Sequence, residues 1–309
     1  MDFLNRHREQ KRLKKALQKQ TGQLLVIYGR RRCGKSTLIK STLSSDDIYF
    51  MAQQTDETIQ RQQLASTIAE KIPRFDSVVY PTWESIFISL NNQANGPITL
   101  CLDEFPYLAK NSTDLPGVLQ KVIDQQQNKN FHILICGSSQ QMMNSLALDS
   151  SSPLYGRASE ILKIKPLEAG WITEALECDA IQAIKEYAVW GGVPRYWELR
   201  ENEESFDEGI KNLILDNQGI LHEEPSRLFL DDMRESVQAY SILAIVGNGA
   251  NRISEIASRL NKPANQLSRP IEKLISLGYL KRELPFGEHS KNSKKGIYRI
   301  AEPFFNFYF

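Results

Sequence analysis

The sequence predicts an α/β domain built on a mostly parallel, five-stranded sheet, followed by a helical region and a small basic module. Short apolar runs alternate with helical patterns up to about residue 165, and this alternation is typical of a parallel sheet with helices on both faces. Helical patterns alone fill residues 171–247, and a β-hairpin pattern lies near the end of the chain. These changes predict domains at residues 1–166, 167–236 and 237–303, and residues 304–309 follow them.

Composition is that of an ordinary globular protein long enough for two domains. The chain has 309 residues, of which 41% are hydrophobic and 24% charged. No apolar run approaches the roughly 18 residues that a membrane helix needs, so no membrane partner is expected. The charged N-terminus lacks a secretory apolar region, which predicts a cytoplasmic location. The four cysteines show no CxxC pairing, which argues against a disulfide framework or a cysteine metal site.

The strand and helix patterns can be placed along the first half of the chain. The candidate strands are Leu24–Tyr28, Ile48–Ala52, Ile98–Asp103, Phe131–Gly137 and Glu160–Lys165. The candidate helices are Lys35–Leu43, Thr55–Lys71, Trp83–Leu90, Leu115–Gln127 and Gln140–Leu148.

The segment after the first strand has the pattern of a phosphate-binding loop. Residues 29–36 fit G-x-x-x-x-G-K-[ST], with an apolar strand before them and a helix after them. The glycines let backbone N–H groups point at a phosphate, and Lys35 can reach the β and γ phosphates of ATP. The Ser36 hydroxyl can ligate Mg²⁺. The predicted ATP-binding residues of this segment are Gly29, Arg30, Arg31, Arg32, Cys33, Gly34, Lys35, Ser36 and Thr37.

Two acids follow a second apolar strand in "ITLCLDEF". We expect Asp103 to hold Mg²⁺ and Glu104 to orient and deprotonate an attacking water, which favours hydrolysis over phosphorylation of a small molecule. Ser138 ends the next strand, where its hydroxyl either touches the γ-phosphate or is a plain turn residue. Arg157 precedes the fifth strand. It either reaches a γ-phosphate, in its own chain or across a subunit boundary, or forms a surface salt bridge.

Together these motifs resemble a known family. The segments "FLNRHREQKRL", "YGRRRCGKSTL", "LDEFPYL", "LICGSS", "SPLYGR" and "GGVPRYW" look like the prokaryotic archaeal-type ATPases of the AAA+/STAND group, which are related to the origin-recognition ATPases. The resemblance runs from about Phe3 to the end of the chain and implies a P-loop NTPase core of the ASCE/AAA+ type. In that core the strand before Ser138 lies between the P-loop strand and the Asp-Glu strand.

The resemblance also implies an α-helical lid and a winged helix after the core. Gly192-Val193-Pro194 is then expected near the adenine, although by its own chemistry this segment is a turn between helices. Arg6 is expected to line the adenine pocket. Family members usually continue into a nuclease-like domain, so the resemblance implies that residues 304–309, at the end of "AEPFFNFYF", are the start of such a domain. Such aromatics either pack back onto the winged helix or belong to a longer protein, and the sequence favours the second.

The C-terminal module is basic. Residues 252–300 hold 11 Lys and Arg against 4 Asp and Glu, which leaves the rest of the chain acidic and suggests a polyanion partner. Buried positions recur at helical spacing in two short helices, and two alternating strands follow them, as in a winged helix-turn-helix. The predicted contacts with duplex DNA are Gln266, Arg269, Lys273, Lys294 and Lys295.

Pro270 disturbs the second of these helices. A proline inside a helix costs about 3 kcal/mol, so the helix is expected to kink or to begin nearer Ser268. The alternative role of the module is to dock a protein, or to clasp the acidic residues 200–235 as an autoinhibitory surface.

The sequence therefore predicts an ATP-hydrolysing switch of slow turnover, with ATP and Mg²⁺ as cofactors and a winged helix that binds DNA or a partner, including another copy of the chain. Three alternatives stay open. The first is a STAND-like regulator that binds ATP, barely hydrolyses it and docks a protein through the winged helix. The others are a small-molecule kinase and a DNA regulator in which the nucleotide is structural.

Overall fold

The computed structural model describes residues 4–125, 130–232, 236–288 and 295–309, except that the side chains of residues 231 and 232 are not described. Phe3, Lys294 and the predicted end of the Leu115–Gln127 helix lie outside this range. The chain forms two compact units, one of Asn5–Lys165 and one of Pro166–Phe309 together with Leu4. They are called here the N-terminal and the C-terminal unit. No helix in the described ranges is long and apolar enough to cross a membrane.

The N-terminal unit alternates strands and helices as the sequence predicts. Its strands are β1 Leu24–Gly29, β2 Ile48–Met51, β3 Ile98–Asp103, β4 Phe131–Gly137 and β5 Ala158–Ile164. Its helices are α1 His7–Leu17, α2 Lys35–Lys40, α3 Glu57–Ala69, α4 Trp83–Gln93, α5 Phe105–Asn111, α6 Leu115–Asp124 and α7 Gln140–Met143. The predicted Gln140–Leu148 helix is divided, because a π-helical turn at Asn144–Leu148 follows α7.

All five strands are parallel, in the order β2-β3-β4-β1-β5. The predicted position of β4 between β1 and β3 is confirmed. Because the strands are parallel, their carboxyl ends meet at one edge of the sheet, where Gly29, Asp103 and Gly137 end β1, β3 and β4. Every residue of β4 is buried, as expected for a central strand covered on both faces.

The C-terminal unit is mainly helical. Its helices are α8 Ile172–Ala175, α9 Ala180–Trp190, α10 Pro194–Glu201, α11 Phe206–Ile210, α12 Glu224–Asp232, α13 Ser236–Gly247, α14 Ile253–Leu260, α15 Ala264–Ser276 and α16 Pro303–Tyr308. Its strands are β6 Leu280–Glu283 and β7 Ile297–Ile300, which pair antiparallel. Leu267, Ile271 and Leu274 of α15 are buried at helical spacing.

Two expectations for this unit need correction. Helix α15 begins at Ala264 and continues through Pro270, so a start near Ser268 is wrong. Phe304 and Phe305 are fully buried in the core of the same unit, with Phe304 packed against Tyr196 at a ring-centroid distance of 4.7 Å. The expectation that the terminal aromatics do not pack back is therefore wrong for these two residues, whereas a further domain beginning at residues 304–309 stays a prediction.

Candidate nucleotide-binding site

A tight loop joins β1 to α2 at the carboxyl edge of the sheet. Gly29 has a φ of +151°, and a Cβ at this position would lie 2.2 Å from the backbone oxygen of Ile164 on β5. Gly34 has a φ of +82° and Arg32 a φ of +65°, both in the left-handed region. The backbone therefore curls through residues 29–34, and Gly29 is required because no side chain fits between β1 and β5.

Lys35 begins α2 and is buried, with 5% of its surface exposed. Its Nζ donates hydrogen bonds to the carbonyl oxygens of Gly29 and Arg30, each at 2.9 Å. The Lys35 side chain therefore folds back toward the loop at residues 29–34, where its ammonium group bonds the main chain. An anion at this position would receive the same N–H donors together with the positive charge.

The other residues of the loop differ in exposure. Arg31 donates to the hydroxyl of Tyr107 on α5 at 2.8 Å, and Arg30 is buried. Cys33 is fully buried, as expected for a small residue that fills space, and Thr37 is exposed on α2.

Asp103, at the end of β3, lies next to Ser36. The Ser36 hydroxyl donates to Asp103 Oδ2 at 2.7 Å, and the Glu104 N–H donates to Asp103 Oδ1 at 2.9 Å. Tyr49 of β2 also donates to Asp103 Oδ2, at 2.5 Å. Burial, followed by the hydrogen bond to Asp103, raises the pKa of Tyr49, so its hydroxyl stays protonated and donates.

The Ser36 hydroxyl and the Asp103 carboxylate fit a magnesium ion. Mg²⁺ takes oxygen ligands and is commonly bound by one or two protein groups together with substrate phosphates. The two side chains come from adjoining parts of the same sheet edge and already share a hydrogen bond, so their oxygens are close enough for one ion or its water shell.

Glu104 stands directly before α5 in the left-handed conformation, with a φ of +52°. The hydroxyl of Ser138, after β4, donates to Glu104 Oε1 at 2.7 Å, and the Ser138 N–H donates to Oε2 at 3.3 Å. The sequence singled out both residues but not this pairing. Ser138 therefore contacts the predicted base itself.

Arg6 is buried against the phosphate loop. It precedes α1, and its guanidinium donates to the carbonyl oxygens of Cys33 at 3.2 Å and Lys165 at 2.5 Å. Arg6 thus ties the start of α1 to the loop and to the end of the N-terminal unit. Its predicted contact with adenine stays a prediction.

Arg157 does not lie at the phosphate loop of its own chain. It precedes β5, whose first residue Ala158 pairs with Leu24 at the start of β1, whereas the loop follows Gly29 at the other end. At about 3.3 Å per residue, the two ends are roughly 17 Å apart. Arg157 instead forms a two-pronged salt bridge with Asp124, at 2.8 and 2.7 Å. The hydrogen bond of this pair raises the pKa of Arg157 and lowers that of Asp124. The expectation that it acts in its own chain is therefore wrong.

The remaining predicted residues belong to the C-terminal unit. Gly192 packs so tightly on Leu167 that a Cβ would lie 1.9 Å from the Leu167 oxygen, and Pro194 begins α10 directly after this turn. Gln266 and Arg269 are exposed on α15, and Lys273 is half-buried. Lys295 pairs with Glu288 at 2.8 Å. Lys294 lies outside the described residues.

Comparison with known proteins decides the family. Residues 3–195 match the family described as an ATPase domain predominantly from Archaea. The chain belongs to this family. It is also 30% identical to an uncharacterised protein of Methanocaldococcus jannaschii over 99% of this chain and 68% of that protein. Membership supports ATP binding and hydrolysis as the chemistry of the N-terminal unit.

Solved structures agree in fold with this archaeal-type ATPase. A Walker-type ATPase of Pyrococcus abyssi superposes with a TM-score of 0.77 at 20% identity, over 99% of this chain and 96% of that one. The ORC1 protein of Aeropyrum pernix, solved in complex with DNA, gives a TM-score of 0.52 at 16% identity, over 98% of this chain and 91% of that one. At these identities the similarity shows the P-loop NTPase fold and no more.

Sequence reasoning missed Tyr49 and Tyr107. A signal for Tyr49 was present, because its hydroxyl interrupts the otherwise apolar strand "IYFM" and a parallel neighbour carries the acids. Tyr107 lies in helix α5, which the sequence analysis did not predict, although Pro106 is typical of a first helical turn.

Proposed function

We propose that this archaeal-type ATPase is a slow ATP-hydrolysing switch, in which nucleotide state alters a C-terminal surface that binds DNA or a protein. One observation carries the proposal. Lys35, the Ser36–Asp103 pair and Glu104 meet at one sheet edge beside a loop that only glycine can form at position 29. These are the groups needed to bind a triphosphate, hold its metal and activate water.

In this proposal each residue has a separate role. The N–H groups of residues 29–36 and the Lys35 ammonium bind the phosphates, while Ser36 and Asp103 would hold Mg²⁺, which would supply positive charge to the phosphates of ATP and of the leaving ADP. Glu104 accepts a proton from water as the water oxygen bonds to the γ-phosphorus and the bond to the ADP oxygen breaks. The Ser138 hydroxyl, which donates to Glu104 Oε1, orients this carboxylate.

Two variants test the hydrolytic function. Lys35→Ala is expected to abolish nucleotide binding, because it removes the buried charge facing the phosphates. Glu104→Gln is expected to retain binding and to lose at least about 100-fold in turnover, as for loss of a general base. Nucleotide binding followed by fluorescence, together with phosphate release, separates the two effects. Full turnover in Lys35→Ala would contradict the proposal.

A regulator that binds ATP with little hydrolysis is the second candidate. The observation that favours it is the pairing of both Glu104 carboxylate oxygens with Ser138. If this pairing holds the base away from water, Ser138→Ala will raise the turnover number. If Ser138 positions the base for catalysis, the same change will lower it. Ser139→Ala is the control, since Ser139 caps α7 instead.

We propose that residues 167–236 form the lid, with Pro194 near the adenine, and residues 237–303 a winged helix that binds duplex DNA. The exposed side chains of Gln266 and Arg269 and the basic charge of this region support that role. Replacing Arg269 and Lys273 by Ala is expected to weaken binding of duplex DNA and to reduce the salt dependence by about one charge per residue. If the salt dependence of DNA binding is the same in the variant and in wild type, the result would instead support protein docking.

Arg157 is proposed to act on a neighbouring copy, because it is too far from its own phosphate loop. An Arg157→Ala protein should then lack turnover alone and regain it when mixed with Lys35→Ala protein, which supplies an intact Arg157. No recovery on mixing would leave Arg157 as a surface ion pair with Asp124. The cytoplasmic location stays a prediction.

A further inference from the structure

Tyr49 places a third donor on the carboxylate that is proposed to hold the metal. Its hydroxyl lies 2.5 Å from Asp103 Oδ2, the same oxygen that accepts the Ser36 hydroxyl at 2.7 Å. The other carboxylate oxygen accepts the Glu104 N–H. Asp103 has only 1% of its surface exposed, so these protein donors largely replace water around it. Its orientation is therefore fixed from both sides.

The ring of Tyr49 is also held in place. Tyr49 pairs with Cys101 in the β2–β3 register, two residues before Asp103, so its side chain lies on the same face of the sheet as the carboxylate. The Lys40 Nζ lies 4.8 Å from the ring centroid. Lys40 is the last residue of α2, the helix that carries Ser36. Tyr49 therefore contacts both the helix after the phosphate loop and the acid at the end of β3.

We propose that Tyr49 is a positioning residue for the divalent cation of this site, an inference that rests on the proposed function. By donating to Oδ2, Tyr49 keeps Asp103 turned toward Ser36, so that the Ser36 oxygen presents its lone pairs to the ion. Hydrogen bonds that orient metal-ligating groups typically contribute about 10-fold to 100-fold in metal affinity. Without the Tyr49 hydroxyl, Oδ2 loses one donor and keeps the Ser36 hydroxyl, so the Asp103 carboxylate is held less firmly in this geometry.

Tyr49→Phe tests the inference, because it removes the hydroxyl and retains the ring that Lys40 contacts. The apparent Mg²⁺ dissociation constant is measured by titrating Mg²⁺ into the full chain with a fluorescent ATP analogue. Nucleotide affinity is measured separately in the presence of EDTA. We expect the affinity for Mg²⁺ to fall about 10-fold. The nucleotide affinity measured in EDTA is expected to stay within about 2-fold of wild type. Both measurements are binding titrations, so neither depends on ATP hydrolysis.

Tyr80→Phe is the matched control. Tyr80 is also partly buried in the N-terminal unit, and its hydroxyl bonds the Phe75 carbonyl at 2.9 Å and the Ser89 hydroxyl at 3.1 Å. It has no contact with Asp103 among the hydrogen bonds of the described residues. A general effect of losing a tyrosine hydroxyl would appear in both variants. The inference requires the loss of Mg²⁺ affinity in Tyr49→Phe alone.

The outcomes separate this inference from the proposed function. Tyr49→Phe with unchanged or tighter Mg²⁺ binding overturns the inference, and tighter binding would mean that Tyr49 competes with the ion for Asp103. If the nucleotide affinity in EDTA falls as much as the Mg²⁺ affinity, the inference is also overturned, because such a result indicates that the phosphate loop itself is disturbed. If the wild-type chain binds no nucleotide at all, the proposed function itself has failed.

Discussion

Gly29→Ala tests the packing that forms the phosphate loop. The added methyl would lie 2.2 Å from the Ile164 oxygen and close to two further backbone atoms of the same residue, at 3.1 and 3.2 Å. Both partners are main-chain atoms of paired strands, so neither can turn aside as a side chain would. Relief requires β1 and β5 to separate, at an overpacking cost of about 1–3 kcal/mol. A φ of +151° adds about 1–3 kcal/mol for a residue with a side chain.

Gly34→Ala is the control within the same loop. Gly34 has a φ of +82°, but a Cβ there meets nothing within 4 Å, so only the backbone strain of about 1–2 kcal/mol applies. At roughly 2–4 °C per kcal/mol for a unit of this size, we expect the melting temperature to fall about 4–24 °C for Gly29→Ala and about 2–8 °C for Gly34→Ala, with the larger fall in Gly29→Ala. Calorimetry without nucleotide measures both. Equal shifts would refute the close approach of β1 and β5.

Two further predictions concern stability. Phe305→Ala is expected to lower the free energy of unfolding by about 3–5 kcal/mol, because Phe305 is fully buried. Phe286→Ala is the control and should change it little, because Phe286 is fully exposed. Chemical denaturation of both variants measures the difference. Burial lowers the pKa of His132, whose Nδ1 accepts the Gln23 N–H at 3.1 Å. Neutral His132 therefore stabilises the fold fully above about pH 6.5, the usual pKa of histidine, and this stabilisation is lost as the pH falls through the lower folded-state pKa. His132→Gln should flatten this part of the pH profile of the melting temperature, and an unchanged profile would assign it to other groups.

The sequence allowed the edge of the sheet to be predicted, because that edge is set by backbone patterns. The predicted strands end at Tyr28 and Asp103, and the observed strands β1 and β3 end at Gly29 and Asp103. A strand followed by a glycine and a helix can adopt few arrangements in a parallel sheet, and the carboxyl ends of parallel strands lie at the same edge of the sheet. The placement of Lys35 and Asp103 at that edge follows from chain order and strand type alone.

Side-chain partners could not be predicted in the same way. The pairing of Ser138 with Glu104 depends on the left-handed backbone at Glu104, which no sequence pattern specifies for a glutamate. The contact of Tyr49 with Asp103 depends on β2 being the neighbour of β3, and that pairing is a tertiary choice. A polar residue in a strand can thus be recognised from the sequence, but its partner depends on strand order and local backbone geometry.

Positive charge is not confined to the C-terminal module. Residues 166–251 hold 17 Asp and Glu against 6 Lys and Arg, while residues 5–165 hold 14 against 21. The acidic body predicted for the rest of the chain is thus confined to the helical region, and the N-terminal unit is itself basic. Net positive charge therefore occurs in two separate parts of the sequence, and the acidic helical region lies between them along the chain.

The position of Arg157 shows how strand direction constrains mechanism. In a parallel sheet the residue before a strand and the residue after its neighbour lie at opposite edges, whatever their distance along the chain. An arginine before β5 therefore faces away from the loop after β1. For Arg157 to act in hydrolysis, a second copy must present that opposite edge to this phosphate loop. A role for Arg157 in turnover thus implies assembly of the chain, and a monomeric enzyme excludes that role.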